Sequence, residues 1–314
     1  MPPLRIVFAG SPAAAVPSLE ALLESAHEIV AVVTREDSPQ GRRGVLTPTP
    51  VAVAAEAAGI PVIKANRLAG AATDEITALD PDLGVIVAYG GLVREPLLSA
   101  PSKGWINLHF SVLPRWRGAA PVQRALIAGD ETTGASVFQL VPELDAGDVF
   151  GVIEQPIGRF QTAGDLLASL SVSGSALLTR VVDDLASDTA RAEAQVGEVT
   201  LAPKLSLADG EVRWDADADV VTNLIRGVTP EPGAFTTLDG GRFKILSAAI
   251  ARNAPRLAPG QFAQEGKLIL VGTATDPIEL ITVHPAGKKA MNAGDWWRGR
   301  PSGASTLANE PVAS

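Results

Sequence analysis

The chain has 314 residues, 46% hydrophobic and 19% charged, a balance that supplies a packed core and excludes a disordered protein. It has no cysteine, which excludes disulfides, thiolate catalysis and cysteine-ligated zinc. A net charge of −9 argues against indiscriminate nucleic-acid binding, and no apolar run approaches the ~20 residues of a membrane span.

The N-terminus shows no separate charged region, apolar region and cleavage site, so no leader is expected and the cytoplasm is the expected compartment. Leu4–Phe8 is a short apolar run and reads as a buried strand. Gly10-Ser11-Pro12 ends it, and Val16, Leu19, Leu22 and Leu23 recur at helical spacing. Ile29–Thr34 is the next strand. This βαβ opening predicts an α/β fold with a doubly wound, mostly parallel sheet. Only Gly10 of a G-x-G-x-x-G is present, which excludes NAD at this turn. Arg35 to Pro50 holds Arg42, Arg43, Gly41, Gly44 and prolines 39, 48 and 50, and reads as a long irregular loop of functional length. Val51–Ala58 and Thr73–Leu79 read as helices, and Pro61–Ile63 and Leu83–Ala88 as strands, with Tyr89-Gly90-Gly91 turning at the carboxyl edge.

Trp105 to Pro121 reads W-I-N-L-H-F-S-V-L-P-R-W-R-G-A-A-P. Its first half alternates as a strand, which puts Asn107 and His109 on one face. Pro114 breaks the strand, and Pro121 suits the first turn of a helix over Val122–Ala128. A buried amide and imidazole need partners, so the pair is either a hydrogen-bonded core feature or a functional one. A second strand, Ala135–Val141, leads into Pro142-Glu143-Leu144-Asp145-Ala146-Gly147-Asp148. In a parallel sheet both strand ends open on one edge, where ligands bind. Asp145 is therefore expected to meet His109 and raise its basicity.

Val149–Gln155 reads as a strand and Ala163–Leu185 as a long helix, which closes a first domain over residues 1–190. A linker is expected over 191–209 and a second domain over 210–314. The second domain opens with a helix at Ala216–Arg226. Short strand-like runs follow at Ala234–Leu238, Phe243–Ile250, Gly260–Ala263, Leu268–Gly272 and Ile278–Thr282, and a frayed tail is expected after Arg300. The scattered His27, His109 and His284 make no metal site.

N-L-H-F-S-V-L-P-R-W-R-G-A-A-P followed by L-D-A-G-D resembles the 10-formyltetrahydrofolate-dependent formyltransferases. So do F-A-G-S-P at Phe8–Pro12 and V-A-Y-G at Val87–Gly90, and the likeness runs from Leu4 to about Trp297. H-P-A-G-K-K-A-M at His284–Met291 points to members that act on initiator methionyl-tRNA. The resemblance implies a Rossmann-like catalytic domain and an OB-like C-terminal barrel. It implies Asn107, His109 and Asp145 as the catalytic set, and 10-formyltetrahydrofolate as formyl donor without a metal. Ser111, Val112, Leu113 and Pro114, together with Val87, Ala88, Tyr89 and Gly90, align with the folate pocket. Arg42, Arg43, Lys288 and Lys289 are the candidate tRNA contacts, and a monomer away from any membrane is expected. The chain departs from the family pattern at Phe110, where Gly is usual, at Arg94-Glu95, and in a loop without lysine after its arginines. The alternatives are a formyltransferase or formyl-folate hydrolase for a small molecule, and a non-catalytic folate- or nucleotide-binding module.

Overall fold

The computed structural model describes residues 3–41 and 44–300. Arg42, Arg43 and the tail after Arg300 lie outside the described residues. The chain divides into two units: residues 1–121, 132–155 and 167–202, and residues 122–131, 156–166 and 203–314.

In the first unit, β1 (Arg5–Gly10), helix α1 (Val16–Leu23) and β2 (Glu28–Thr34) form the expected βαβ opening. A small hairpin follows, β3 (Ser38–Gln40) against β4 (Val45–Thr47), paired antiparallel. This corrects the reading of residues 35–50 as irregular. Gly41 and Gly44 take the positive φ that the turn requires, and Val45-Leu46-Thr47 has strand-forming side chains. Then come α2 (Pro50–Ala57), β5 (Val62–Lys64), α3 (Ala71–Ala78) and β6 (Leu83–Val87). The Thr49 hydroxyl caps α2 by accepting from the Ala52 N–H at 3.1 Å. β7 (Trp105–His109), β8 (Arg117–Gly118), α4 (Pro121–Ala128), β9 (Thr132–Gln139), β10 (Val149–Pro156), α5 (Ala163–Ala186) and β11 (Leu201–Ala202) follow along the chain, with α4 after Pro121 and the first turn of α5 counted in the second unit.

Seven strands form one sheet in the order β10-β9-β7-β6-β1-β2-β5. The pairs β1–β2, β1–β6, β2–β5 and β6–β7 are parallel. β6 is buried at every residue, as expected of a strand covered on both faces. The order reverses between β1 and β6, whose carboxyl ends flank the crevice where such sheets bind ligands. Gly84 has its place in β6 because a Cβ there would lie 2.1 Å from the Trp105 indole, which is fully buried. The Trp105 Nε1–H donates to the Leu97 carbonyl at 2.8 Å, so its one polar atom is satisfied.

β9 runs antiparallel to β7, with Gln139 opposite Ile106 and Ser136 opposite His109. The expectation that both strands open on one edge is therefore corrected: β9 ends beside the start of β7. An apolar run does not encode its own direction.

By length and composition the 24-residue α5 is long and apolar enough to cross a membrane, more apolar than the sequence reading allows. Leu166, Leu170, Leu177, Leu178, Val181 and Val182 are buried along it, and half of its most apolar window is inside the protein. That burial marks a core helix.

In the second unit, α6 (Ala218–Gly227) precedes β12 (Ala234–Leu238), β13 (Gly241–Ile250), β14 (Phe262–Glu265), β15 (Leu268–Val271), β16 (Ile278–Pro285), β17 (Met291–Asn292) and α7 (Ala293–Arg298). The sheet order is β12-β13-β16-β15-β14, with β17 beside β16, and the ladders are antiparallel. Trp214, Ile225, Phe243, Ile245, Val271, Leu280 and Trp296 are among its core side chains. The Asn292 side chain caps α7 from the front.

Candidate active site

β7 builds the site. Trp105, Asn107 and His109 alternate onto one face. The other face carries Leu108, and an added Cβ on Gly174 of α5 would lie 3.1 Å from it. Asn107 is half-buried, and its side-chain amide has no hydrogen-bond partner among the described residues. A polar group left open at the end of a buried strand is available to a ligand.

His109 is 6% exposed. Its Nε2 lies 2.8 Å from the Trp116 carbonyl oxygen and its Nδ1 lies 3.8 Å from Asp145 Oδ2. A carbonyl only accepts, so Nε2 carries the proton and Nδ1 presents its lone pair toward the carboxylate. Phe138 meets the imidazole edge-on at 6.3 Å. Burial pushes the His109 pKa below its ordinary 6.5, against the opposing pull of the Asp145 carboxylate and the Trp116 carbonyl. The expected raising influence of Asp145 is present, but it does not set the net direction, because the cost of charging an enclosed ring is larger.

Asp145 reaches His109 because the loop after β9 doubles back. Asp145 has φ 46, and its Oδ2 accepts the Gly118 N–H at 2.7 Å. An added Cβ on Gly147 would lie 1.8 Å from the Gln139 carbonyl oxygen, so only glycine lets the loop pass. Trp116 has φ 63, which turns its carbonyl to the imidazole, and its N–H donates to Thr200 Oγ1 at 2.8 Å. Within the stretch expected as a linker, β11 pairs in parallel with β8, and Gln195 contacts both Arg117 and the Asp145 loop.

Ser111–Pro114 continues from β7. The Ser111 hydroxyl donates to the Arg115 carbonyl at 2.7 Å, and the Ser136 hydroxyl donates to the Ser111 carbonyl at 2.7 Å. Val112 is half-buried, and Leu113 and Pro114 are buried. Val87 ends β6 at the switch point, followed by exposed Ala88 and Gly90. Tyr89 turns into the core, 1% exposed, and its hydroxyl donates to the Ala65 carbonyl at 2.5 Å. Ser11 bridges the same strand ends: its hydroxyl donates to the Tyr89 carbonyl at 3.2 Å and accepts the Arg35 N–H at 3.2 Å. Lys288 and Lys289 are exposed in the turn between β16 and β17, in the second unit. Sequence reasoning missed the Trp116 carbonyl, the Gly118 N–H, Ser11 and Gln195. Backbone groups leave no residue-type signal, and the W-R-G run after Pro114 was the nearest hint.

Residues 4–182 match the formyl transferase family, and residues 204–301 match the formyl transferase C-terminal domain. The chain is 58% identical over 296 residues to a protein named methionyl-tRNA formyltransferase from Clavibacter michiganensis subsp. michiganensis, covering 94% of this chain and 97% of that one. It is likewise 58% identical to one of the same name from Leifsonia xyli subsp. xyli, with the same coverage. Among solved structures, an N-formyltransferase from Helicobacter canadensis in complex with folinic acid and dTDP-3-aminofucose superposes with a TM-score of 0.68 at 16% identity, covering 88% of this chain and 98% of that one. That likeness is one of fold. With the family's N-terminal part on the unit that holds Asn107, His109 and Asp145, and its C-terminal part following, the chain belongs to the formyl transferase family.

Proposed function

We propose that the protein transfers the formyl group of 10-formyltetrahydrofolate to the free amine of initiator methionyl-tRNA, giving N-formylmethionyl-tRNA. The observation that carries this reading is the cluster of an Asn107 amide with no partner among the described residues, a buried neutral His109 and a facing Asp145, in a chain nearly co-extensive with relatives named methionyl-tRNA formyltransferase. When bound, the folate supplies a formyl carbon open to attack by a neutral amine. Asn107 donates to the oxygen that gains charge in the transfer. His109 takes the amine's proton at Nδ1, because Nε2 already holds one against Trp116, and returns it to N10 of the folate as the formyl C–N10 bond breaks and tetrahydrofolate leaves. Asp145 faces that nitrogen and stabilises the resulting imidazolium, while Gly118 holds the carboxylate in place.

Ala88 and Gly90 at the switch point, with Ser111–Pro114 beside them in sequence to His109, form the folate pocket in this reading. Val87 and Tyr89 act from the core side. The second unit is an OB-like barrel that adds RNA affinity. Its short antiparallel strands support this, as do the register shifts between Ile245 and Ala248, which bend β13 against β16. Lys288 and Lys289 touch tRNA phosphates, and Arg42 and Arg43 hold the acceptor end. The enzyme works as a cytoplasmic monomer, with catalysis in the unit that includes residues 1–121 and RNA binding in the unit that includes 203–314. Incubation with 10-formyltetrahydrofolate and charged initiator tRNA tests the reading: formyl-methionine on the tRNA is expected, and its absence overturns it.

A further inference from the structure

Residues 191–199 are exposed at every position but Gln195. A long polar side chain in such a run ordinarily stays free in water, since fixing it costs conformational entropy. Gln195 is instead fully engaged. Its Oε1 accepts from Arg117 Nε at 3.1 Å and Arg117 Nη2 at 2.7 Å. Its Nε2 donates to the Asp145 carbonyl at 2.8 Å and the Gly147 carbonyl at 2.9 Å. An amide has two protons and two lone pairs to offer, and all four are used.

The two sides it joins are those whose spacing governs the site. One is the doubled-back loop, in which Asp145 holds φ 46, a conformation that costs a non-glycine residue about 1 kcal/mol or more. The other is the 116–118 stretch, where the Trp116 carbonyl orients His109 and the Gly118 N–H orients Asp145. Neither His109 nor Asp145 is touched by the Gln195 amide through its own side chain. We infer that Gln195 is a positioning residue for the formyl-transfer centre, clamping the Asp145 loop to the Arg117–Gly118 strand and so fixing the distance from Asp145 to His109. The inference rests on the formyl-transfer reading above. The neighbouring bonds share the work: β8–β11 pairing and the Glu193–Val149 bridge bring the segment across, and Gln195 sets the loop.

Two variants of the full chain separate positioning from bulk structure. Gln195→Met keeps the length and loses both functions of the amide. Gln195→Glu keeps the acceptor for Arg117 and loses the two donors to the loop. Both are expected to lower kcat for tRNA formylation by about tenfold or more, since an ångström of misplacement at a reacting centre is costly, while KM for the folate stays within about twofold of wild type. The second readout is the NMR pH titration of the His109 ring, one of three histidines in the chain. With the carboxylate less well held, its pull on the imidazole weakens, so the His109 midpoint moves to lower pH in Gln195→Met, which adds no charge. Wild-type behaviour of Gln195→Glu would assign the effect to Arg117 and overturn the inference. A kcat loss matched by a loss of folded protein, with the His109 titration unmoved, would overturn it as well. If wild type itself forms no formyl-methionine, the proposed function fails, and the His109 titration still decides whether Gln195 positions Asp145.

Discussion

His109 sits between two opposing influences, and their balance makes its protonation a stability statement as well as a catalytic one. Burial lowers its pKa, and Asp145 raises it by less. An unfolded chain takes up the proton near pH 6.5, whereas the folded chain takes it up only at lower pH. Between those two points the unfolded state binds more protons, so stability rises with pH. The contribution is complete above about 6.5 and is lost as pH falls toward the folded value. Urea midpoints measured across this range are expected to fall on acidification less steeply in His109→Gln than in wild type. The acid limb of kcat/KM is expected below 6.5, and Asp145→Asn moves it lower still because the raising carboxylate is removed. Replacing His109 by Ala is expected to cost roughly 10²–10⁴ in kcat. Asn107→Ala is expected to cost roughly 10²–10³, as for other lost oxyanion donors. Near-normal turnover of either variant in the tRNA formylation assay would remove that residue from the reaction.

At the scale of strands and loops, two glycines separate stability from function. An added methyl at Gly84 meets the Trp105 indole in a fully buried part of β6–β7. Gly84→Ala is expected to lower the unfolding free energy by about 1–3 kcal/mol, the usual cost of overpacking, as read by urea denaturation. At Gly147 the obstacle is the Gln139 carbonyl, and the piece that yields is the Asp145 loop. Gly147→Ala is expected to cut kcat by more than its loss of stability explains. A melting temperature and a turnover number on the same sample decide it. These elements also mark what the sequence could disclose. Alternation in Trp105–Phe110 placed Asn107 and His109 on one face, and the 3.6-residue recurrence of Leu and Val placed α5. The direction of β9 was not legible, because parallel and antiparallel strands use the same apolar side chains. The β3–β4 hairpin was hidden by its prolines and glycines, and Gln195 by the exposed run around it. The contact between Asp145 and His109 was foreseen by an edge argument that the antiparallel β9 does not satisfy. A strained loop makes that contact instead.

For the molecule as a whole, charge frames the encounter with RNA. A net charge of −9 repels a polyanion at long range, so attraction has to come from local patches. Lys288 and Lys289 project from an exposed turn of the second unit. Replacing both by Ala is expected to weaken tRNA binding and to reduce the slope of log K against log salt by about 1–2, one phosphate contact for each lysine. An unchanged slope would place the contacts elsewhere. A different consequence follows from the Gln195 clasp, and it concerns time. Gln195 lies 50 residues after Asp145, and β11 comes later still. Synthesis proceeds from the amino end, and earlier parts fold first. A growing chain therefore holds Asn107, His109 and Asp145 before it holds Gln195. A chain stopped at residue 190 stays at that stage, with Trp116 and Gly118 there to meet His109 and Asp145 but no Gln195 to join the Asp145 loop to Arg117. In the proposed reading, the centre gains its last contacts, from Gln195, Thr200 and β11, only once residues 195–202 have been made.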